Sequence, residues 1–174
     1  MTSSHTADDE DLWLMDIDSL LKAILSLPSL SLPETSLSEG NSEETNIATY
    51  RSFLDRVPQE APNLSQEAER FMARQIRLGK KAERMLREGV VGDKERQALL
   101  VRVEKGKAAL ETLVVANIGL VYYTIRTFLG SGVLGNSDLV QEGVVGLIRA
   151  AMKYNPDRGV RFSTYAVYQL SLIH

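Results

Sequence analysis

The segment at residues 138–166, DLVQEGVVGLIRAAMKYNPDRGVRFSTYA, decides the fold. Its first half repeats apolar side chains at the spacing of one helical face, which predicts an amphipathic helix. Pro156 ends that helix, and the NPDRG sequence around it predicts a turn that reverses the chain. Ser163 then stands where a side chain can cap a further helix. The apolar face of the first helix comprises Val140, Val144, Leu147, Ile148 and Ala151.

Further helices are expected upstream. Ser65 is predicted to cap one that ends before Gly89 and Gly92, and Asp93 is placed to cap the next. Asp138, with Gln141 three residues later, resembles a capping box. No segment alternates polar and apolar residues for long enough to predict a sheet. We therefore predict an all-α fold, a bundle of four or five helices over residues 63–174. The apolar stripe of the helix after Ser65 contains Ala68, Phe71, Met72 and Ile76.

Residues 1–62 are predicted to be a largely disordered acidic leader, because the Ser/Glu/Asn-rich part lacks the apolar area that ordering requires. One amphipathic helix is expected in it, DLWLMDIDSLLKAILSL at 11–27, ended by Pro28 and Pro33. That helix either docks into a partner's groove or packs as a satellite against the body, and we favour the second interpretation.

Composition excludes several classes of function. The chain has no cysteine, and its two histidines are His5 and His174, so neither a metal site nor a catalytic triad is expected. The longest apolar run, 113–125, is too short to cross a bilayer. No phosphate-binding loop or paired nucleophile and base is found, so we predict neither an enzyme nor a cofactor. Net charge is −11 through Glu69 and +8 from Arg70 onward, a split typical of polyanion binding.

Basic side chains follow one side of the helix after Ser65, at spacings of three and four. This basic ridge is either an ordinary solvated face or a phosphate-binding track, and the scarcity of nearby acidic residues favours the track. Its members are Arg70, Arg74, Arg77, Lys81 and Arg84.

Two further clusters each allow two interpretations. Asp138, Gln141 and Glu142 at a helix start are either caps or a small acidic docking patch. Phe162, Tyr165 and Tyr168 are either core residues or a surface that stacks on bases. Stacking is worth about 1–3 kcal/mol per base, whereas opening a DNA duplex forfeits about 1.4 kcal/mol per base-pair step. A few aromatic residues can therefore hold unpaired bases.

Three segments in this order and spacing resemble the sigma-70 family of transcription initiation factors: ANIGLV at 116–121, DLVQEGVVGLIRAAMKYNPDRG at 138–159 and RFSTYA at 161–166. These factors serve bacterial RNA polymerase and its plastid relative. The resemblance runs from about Leu64 to Tyr168. It implies a factor that binds core RNA polymerase and melts promoter DNA, located in the bacterial cytoplasm or the plastid stroma.

The resemblance also implies roles for residues. In the family, the helix that begins like Asp138 grips a coiled coil of the polymerase's largest subunit. The implied polymerase contacts are Asp138, Leu139, Gln141, Glu142, Val144 and Ile148. The aromatic segment of the family captures a flipped base of the non-template strand, and Tyr165 matches the stacking tyrosine. The implied DNA contacts are Arg70, Arg74, Arg77, Asn117, Tyr154, Arg158, Arg161, Phe162, Ser163, Thr164, Tyr165 and Tyr168.

Several positions depart from the family pattern. Tyr168 and Gln169 stand where the family has two tryptophans, and Ser171 and Leu172 replace an Arg and a Gln. Gly119 occupies a position where arginine is usual. The ending resembles a truncation within the melting segment, so we expect a domain that is incomplete at its C-terminus. An alternative function is an interaction-only protein that docks on polymerase without opening DNA.

Overall fold

The computed structural model describes residues 17–26, 64–89, 92–129 and 137–172. No strand occurs within these ranges, so the predicted all-α fold is confirmed, with five α-helices between residues 64 and 172. A short 3-10 helix, Pro156–Arg158, lies before the last of them. In chain order the helices are α1 (Ile17–Leu25), α2 (Gln66–Glu88), α3 (Asp93–Val115), α4 (Gly119–Leu129), α5 (Ser137–Lys153) and α6 (Phe162–Ser171).

Helices α2 and α3 form a hairpin and are the most extensively packed pair. Ser65 caps α2 as predicted, since its Oγ accepts a hydrogen bond from the Ala68 amide at 3.1 Å. Gly89 ends α2 with a φ of 77°, a conformation that favours glycine. A Cβ added to Gly79 would stand 2.9 Å from the Cα of Gly106. These two glycines therefore set how closely the helices approach.

The main core lies where α3, α4, α5 and α6 meet. Leu113, Val121, Leu147 and Phe162 are completely buried there. Gly143 of α5 faces Val121 so closely that an added Cβ would overlap the valine side chain. The glycine inside α5 thus serves close helix packing.

Helix α1 packs against α5 and α3. Its side chains Ile17 and Ile24 are 5% and 0% exposed and belong to the main core. The satellite interpretation is therefore confirmed for residues 17–25. The rest of the predicted leader lies outside the described residues, and its predicted disorder stays a prediction.

Four local predictions need correction. Gly92, without a side-chain bond, is the N-cap of α3, so Asp93 is its first residue and not its cap. Helix α5 begins at Ser137, which puts Asp138 inside the first turn. Arg161 is the N-cap of α6 in place of Ser163. Phe71 is 62% exposed and not part of the core stripe, because α2 turns Ala73, Ile76 and Gly79 inward instead.

Within the described ranges, no single helix has both the length and the apolar character of a membrane span. Helix α3 and the first part of α4 reach that length and composition only as a pair bent by 44°. The pair contributes Leu113, Val114 and Val121 to the core.

Candidate functional site

The start of α5 presents polar side chains to solvent. Asp138, Gln141 and Glu142 are all exposed, and Leu139 beside them is half-buried. Apolar residues on the opposite side of α5 hold the helix in the core, which fixes the direction of this edge. The two carboxylates give the edge a local negative charge on a body that is otherwise basic. We call Asp138, Leu139, Gln141 and Glu142 the acidic edge.

Two residues assigned to the same contact surface lie elsewhere. Val144 and Ile148 are 1% and 0% exposed and belong to the main core. Their burial agrees with the apolar face predicted from the sequence, and it leaves them inaccessible as the polymerase contacts that the resemblance implies. Of the six implied polymerase contacts, only the four residues of the acidic edge are accessible to solvent.

Two of the aromatic side chains assigned to DNA are buried. Phe162 is 0% and Tyr154 is 4% exposed, and their rings meet edge to face with centroids 5.3 Å apart. The Tyr154 hydroxyl donates a hydrogen bond to the Val160 carbonyl at 2.7 Å. Burial, and after it the negative charge of Glu69, raises the pKa of Tyr154 above its usual 10.0. Direct stacking of a base on either ring is excluded in this structure, which corrects the sequence prediction.

The other two aromatic side chains lie at the surface. Tyr168 is 60% exposed, and Tyr165, one turn earlier on the same side of α6, is half-buried. The Tyr165 ring lies 5.9 Å from the Tyr154 ring, centroid to centroid. Thr164 is exposed and Ser163 half-buried. We call Tyr165 and Tyr168 the aromatic step.

An ion pair joins the start of α2 to the start of α6. Arg161 donates from Nε and from its terminal nitrogen to Glu69, with the shortest distance 2.8 Å. The buried Glu69 also accepts the Phe162 amide at 3.1 Å and so replaces the expected Ser163 cap. The hydrogen bond to Glu69, and then its charge, raises the pKa of the Arg161 guanidinium. Arg161 is thus engaged in a structural contact, and sequence reasoning missed Glu69.

The basic ridge is exposed along α2. Arg70, Arg74 and Arg77 all face solvent, and Arg77 pairs with Asp157 at 3.3 Å. Because Asp157 belongs to the 3-10 helix, this exposed pair ties the ridge to the turn that carries Arg158, itself exposed. Phe71 lies on the same exposed side. Its spacing of three residues from Arg74 is the sequence signal for this exposure. The prediction that Phe71 belongs to the apolar stripe overlooked that signal.

The break between α3 and α4 holds the remaining predicted contact. Asn117 is half-buried, and its Nδ2 donates to the Leu113 carbonyl at 2.8 Å. Two residues later, Gly119 is exposed, with open space where a side chain would stand. Tyr123, one turn further, is 50% exposed and was not singled out from the sequence.

No group of three or more acidic or histidine side chains within the described ranges is arranged to hold a metal ion.

Residues 113–168 match the family model described as Sigma-70 region 2. This part of the chain is similar to sigma-70 region 2. This region runs from the end of α3 through α4 and α5 into α6, so it contains both the acidic edge and the aromatic step. The basic ridge on α2 lies outside the matched residues.

Curated relatives match a stretch of 66 to 71 residues of the chain. "RNA polymerase sigma factor SigA" of Microcystis aeruginosa is 42% identical over 67 residues, which are 38% of this chain and 16% of that protein. SigA of Nostoc sp. is 39% identical over 71 residues, 41% of this chain and 18% of that protein. "RNA polymerase sigma factor sigF, chloroplastic" of Arabidopsis thaliana is 36% identical over 66 residues, 38% and 12% of the two chains. The chain thus spans less than a fifth of the length of these relatives.

Proposed function

We propose that the protein acts as a sigma-type transcription initiation factor, which binds core RNA polymerase and contacts and melts promoter DNA. The observation that carries this proposal is the exposure of the acidic edge on α5, inside the segment that matches sigma-70 region 2. The factor works by binding and catalyses no reaction of its own. Its setting is the bacterial cytoplasm or the plastid stroma, since the relatives include a chloroplastic protein.

Docking is assigned to the acidic edge, with the coiled coil of the polymerase's largest subunit as the partner. Charged side chains at the rim of an interface mainly govern the association rate and the choice of partner. Asp138 and Glu142 are exposed and one helical turn apart, so both can face a single partner helix.

Melting is assigned to the aromatic step, which captures unpaired bases of the non-template strand. Each base stacked on an aromatic ring gains about 1–3 kcal/mol, enough to offset the opening of a base-pair step. The buried rings of Tyr154 and Phe162 support this role indirectly, because Tyr154 packs against Tyr165 and restricts the ring that a base would meet.

The basic ridge is proposed to follow the phosphates of the same strand. Arg70, Arg74 and Arg77 supply positive charge, and the exposed Phe71 adds an apolar ring beside them. Each phosphate contact that is lost should reduce the salt dependence of binding by roughly one unit of slope. Arg158 extends the positive surface toward α6, whereas Arg161 is proposed to act mainly by holding the start of α6.

A second candidate function is docking on polymerase without opening DNA. Specific positions favour it: Gln169 stands where the resemblance expects a tryptophan, and Gly119 leaves open space where it expects an arginine. This protein would bind the same subunit through the same acidic edge, but its aromatic step would hold no base.

The docking assignment is tested with Glu142→Arg, a charge reversal on the acidic edge. Titration with core RNA polymerase should show a clear loss of affinity, while circular dichroism stays unchanged. Glu95→Arg is the matched control, since Glu95 is also an exposed acid near the start of a helix, on α3. Equal binding by the Glu142→Arg variant and the control would contradict the docking role. Cross-linking of the wild-type complex to a single-stranded promoter oligonucleotide separates the two candidate functions.

A further inference from the structure

We propose that the exposed stripe of α5 pairs with the same stripe of a second copy of this chain, with the two helices antiparallel. We call this stripe the charge stripe, and it consists of Asp138, Glu142, Val145, Arg149 and Lys153. The pairing is symmetric, because each copy offers the same surface to the other. The order of charges along α5 identifies this partner.

The charge stripe is narrow and straight. Glu142, Arg149 and Lys153 are exposed and Val145 is half-buried, whereas every other residue between 142 and 153 is buried. Its members are three or four residues apart, so they follow one line along the helix. Spacings of four, three and four residues from 138 to 149 are those of a coiled-coil seam. One partner helix can therefore contact the whole stripe.

The charges on the stripe are complementary to themselves when the helix direction is reversed. Acidic residues occupy its first two positions and basic residues its last two. Positions 142 and 149 lie equally far from the centre of the stripe, and so do positions 138 and 153. In an antiparallel pair, Glu142 of one copy therefore meets Arg149 of the other, and Asp138 meets Lys153. A parallel pair would instead bring like charges together, which disfavours it.

The helix macrodipole explains only the outer charges. It favours acids at the start of a helix and bases at its end, and its influence falls off within the first and last turn. Asp138 is in the first turn of α5 and Lys153 in the last, and both also take part in interactions within the chain. Glu142 and Arg149 lie beyond these turns, so the inner pair carries the argument for a partner.

The spacing of the charges is unfavourable within a single α5. Opposite charges four residues apart stabilise a helix, whereas like charges at this spacing destabilise it. Asp138 and Glu142 form one such like pair, and Arg149 and Lys153 form another. A second copy relieves both repulsions, because it places bases opposite the acids and acids opposite the bases.

The centre of the stripe allows two copies to approach. Val145 is half-buried and its neighbours Val144 and Gly146 are buried, so no long side chain stands at the twofold axis. Exposed ion pairs are individually weak, and a contact along one helix is small beside the interfaces of stable dimers. We therefore expect a weak dimer whose formation depends on protein concentration and on salt.

Pairing has a consequence for polymerase binding, which rests on the proposed docking function. Asp138 and Glu142 belong to both the charge stripe and the acidic edge, so a paired copy cannot use them for docking. Where half of the chains are paired, the apparent affinity for polymerase should be reduced about twofold. Arg149→Glu keeps the acidic edge but prevents pairing, so this variant should not show the reduction.

Two charge reversals test the pairing by sedimentation velocity of the full chain. Glu142→Arg leaves bases at both inner positions of the stripe, and Arg149→Glu leaves acids there. Each variant alone should raise the dissociation constant of the dimer by roughly tenfold or more, because like charges then meet at both symmetric contacts. An equimolar mixture of the two should dimerise like wild type, since every acid again meets a base. The variant with both reversals should dimerise by itself.

Controls separate the stripe from charge in general. Glu95→Arg and Arg96→Glu reverse exposed charges on α3, and both variants should dimerise like wild type. Raising the salt concentration from 0.1 M to 1 M shortens the Debye length from about 10 Å to about 3 Å, so it should weaken the wild-type dimer. Thermal unfolding should show that every variant stays folded.

A cross-link tests the register without changing a charge. The chain has no cysteine, so Val145→Cys supplies one thiol per copy, next to the twofold axis. A bismaleimide should join two copies at low salt and much less at 1 M salt. Ala98→Cys, at an exposed position of α3, is the control and should give little covalent dimer.

The outcomes separate the pairing from the docking role. Wild type that stays monomeric at low salt over the whole concentration series would overturn the pairing. A dimer that survives either single reversal, or a mixture that fails to dimerise, would do the same. Polymerase binding that depends on Glu142 in a protein that never dimerises would leave docking intact. A dimer with the expected charge dependence and no affinity for polymerase would overturn docking and leave the pairing.

Discussion

The four aromatic residues between 154 and 168 fall into two pairs with opposite surroundings. Tyr154 and Phe162 are buried and meet edge to face, whereas Tyr168 is exposed and Tyr165 is half-buried. Because the two pairs are linked through the packing of Tyr154 against Tyr165, one pair supports the other. The contrast teaches that one aromatic cluster can be divided between the core and the surface, so a single interpretation does not fit all of its members.

The largest expected effect breaks the buried pair. Phe162→Ala removes a fully buried ring and should lower the free energy of unfolding by about 3–5 kcal/mol, measured by urea denaturation. Tyr168→Ala, at an exposed position of the same helix, should change it by no more than about 0.5 kcal/mol. Similar losses for both variants would mean that the pairs do not differ as described.

The next effect concerns how the start of α6 is held. Arg161→Ala leaves the buried Glu69 carboxylate without its cation and should lower the free energy of unfolding, measured by urea denaturation. Glu69→Gln should cost less, about 1.5 kcal/mol, because the amide oxygen can still accept from Phe162 and the guanidinium is half-exposed. Arg158→Ala is the control, since Arg158 is exposed. If Arg161→Ala and Arg158→Ala are equally stable, the ion pair does not hold α6.

A smaller effect is expected at the aromatic step. Tyr165→Ala should reduce affinity for a single-stranded promoter oligonucleotide by about 1–3 kcal/mol, in the presence of polymerase. Tyr165→Phe keeps the ring and should retain most of the affinity. Loss of thermal stability in the alanine variant with unchanged oligonucleotide binding would assign Tyr165 to the core alongside Tyr154.

The smallest expected effect is on the pH dependence of stability, through the buried Tyr154. Tyr154→Phe removes the bond to the Val160 carbonyl and should cost about 1 kcal/mol at neutral pH. Because the pKa of Tyr154 is raised above 10.0 in the fold, the protonated hydroxyl stabilises the folded state below about that pH. This contribution is lost as the pH rises through the raised pKa. Wild type should therefore lose stability in alkali relative to Tyr154→Phe, and parallel pH profiles would contradict this account.

The helices and several of their ends were predictable from local signals. Ser65 and Gly89 act through their own side chain and backbone, so the sequence predicted their places correctly. Asp93 was wrong because α3 starts at Asp93 itself, and its N-cap Gly92 makes no side-chain hydrogen bond. Ser163 was wrong because another group competes for the start of α6. At α6 the competitor is Glu69, which is distant in sequence, and no local pattern reveals it.

The candidate site also contains some residues whose exposure was predicted correctly from the sequence and others whose exposure was not. Asp138, Gln141 and Glu142 were predicted as an exposed cluster and are exposed. Their contact with polymerase stays a prediction. Spacing placed Val144 and Ile148 correctly on the apolar face of α5, and only the resemblance assigned them to a contact surface. Tyr154 was misplaced, because its burial depends on neighbouring helices and not on the spacing within its own segment. Phe71 was misplaced in the opposite sense, since the face that α2 turns inward is set by Gly79 meeting Gly106.

The most direct test of the proposed melting surface is photo-cross-linking in the complex with core RNA polymerase. A promoter oligonucleotide with 5-iodouracil in its unpaired non-template strand is irradiated, and the cross-linked peptide is identified by mass spectrometry. The account predicts cross-links at Tyr165 or Tyr168 and none at the buried Phe162. Cross-links confined to other parts of the chain, with polymerase bound, would contradict the claim that the aromatic step captures unpaired bases.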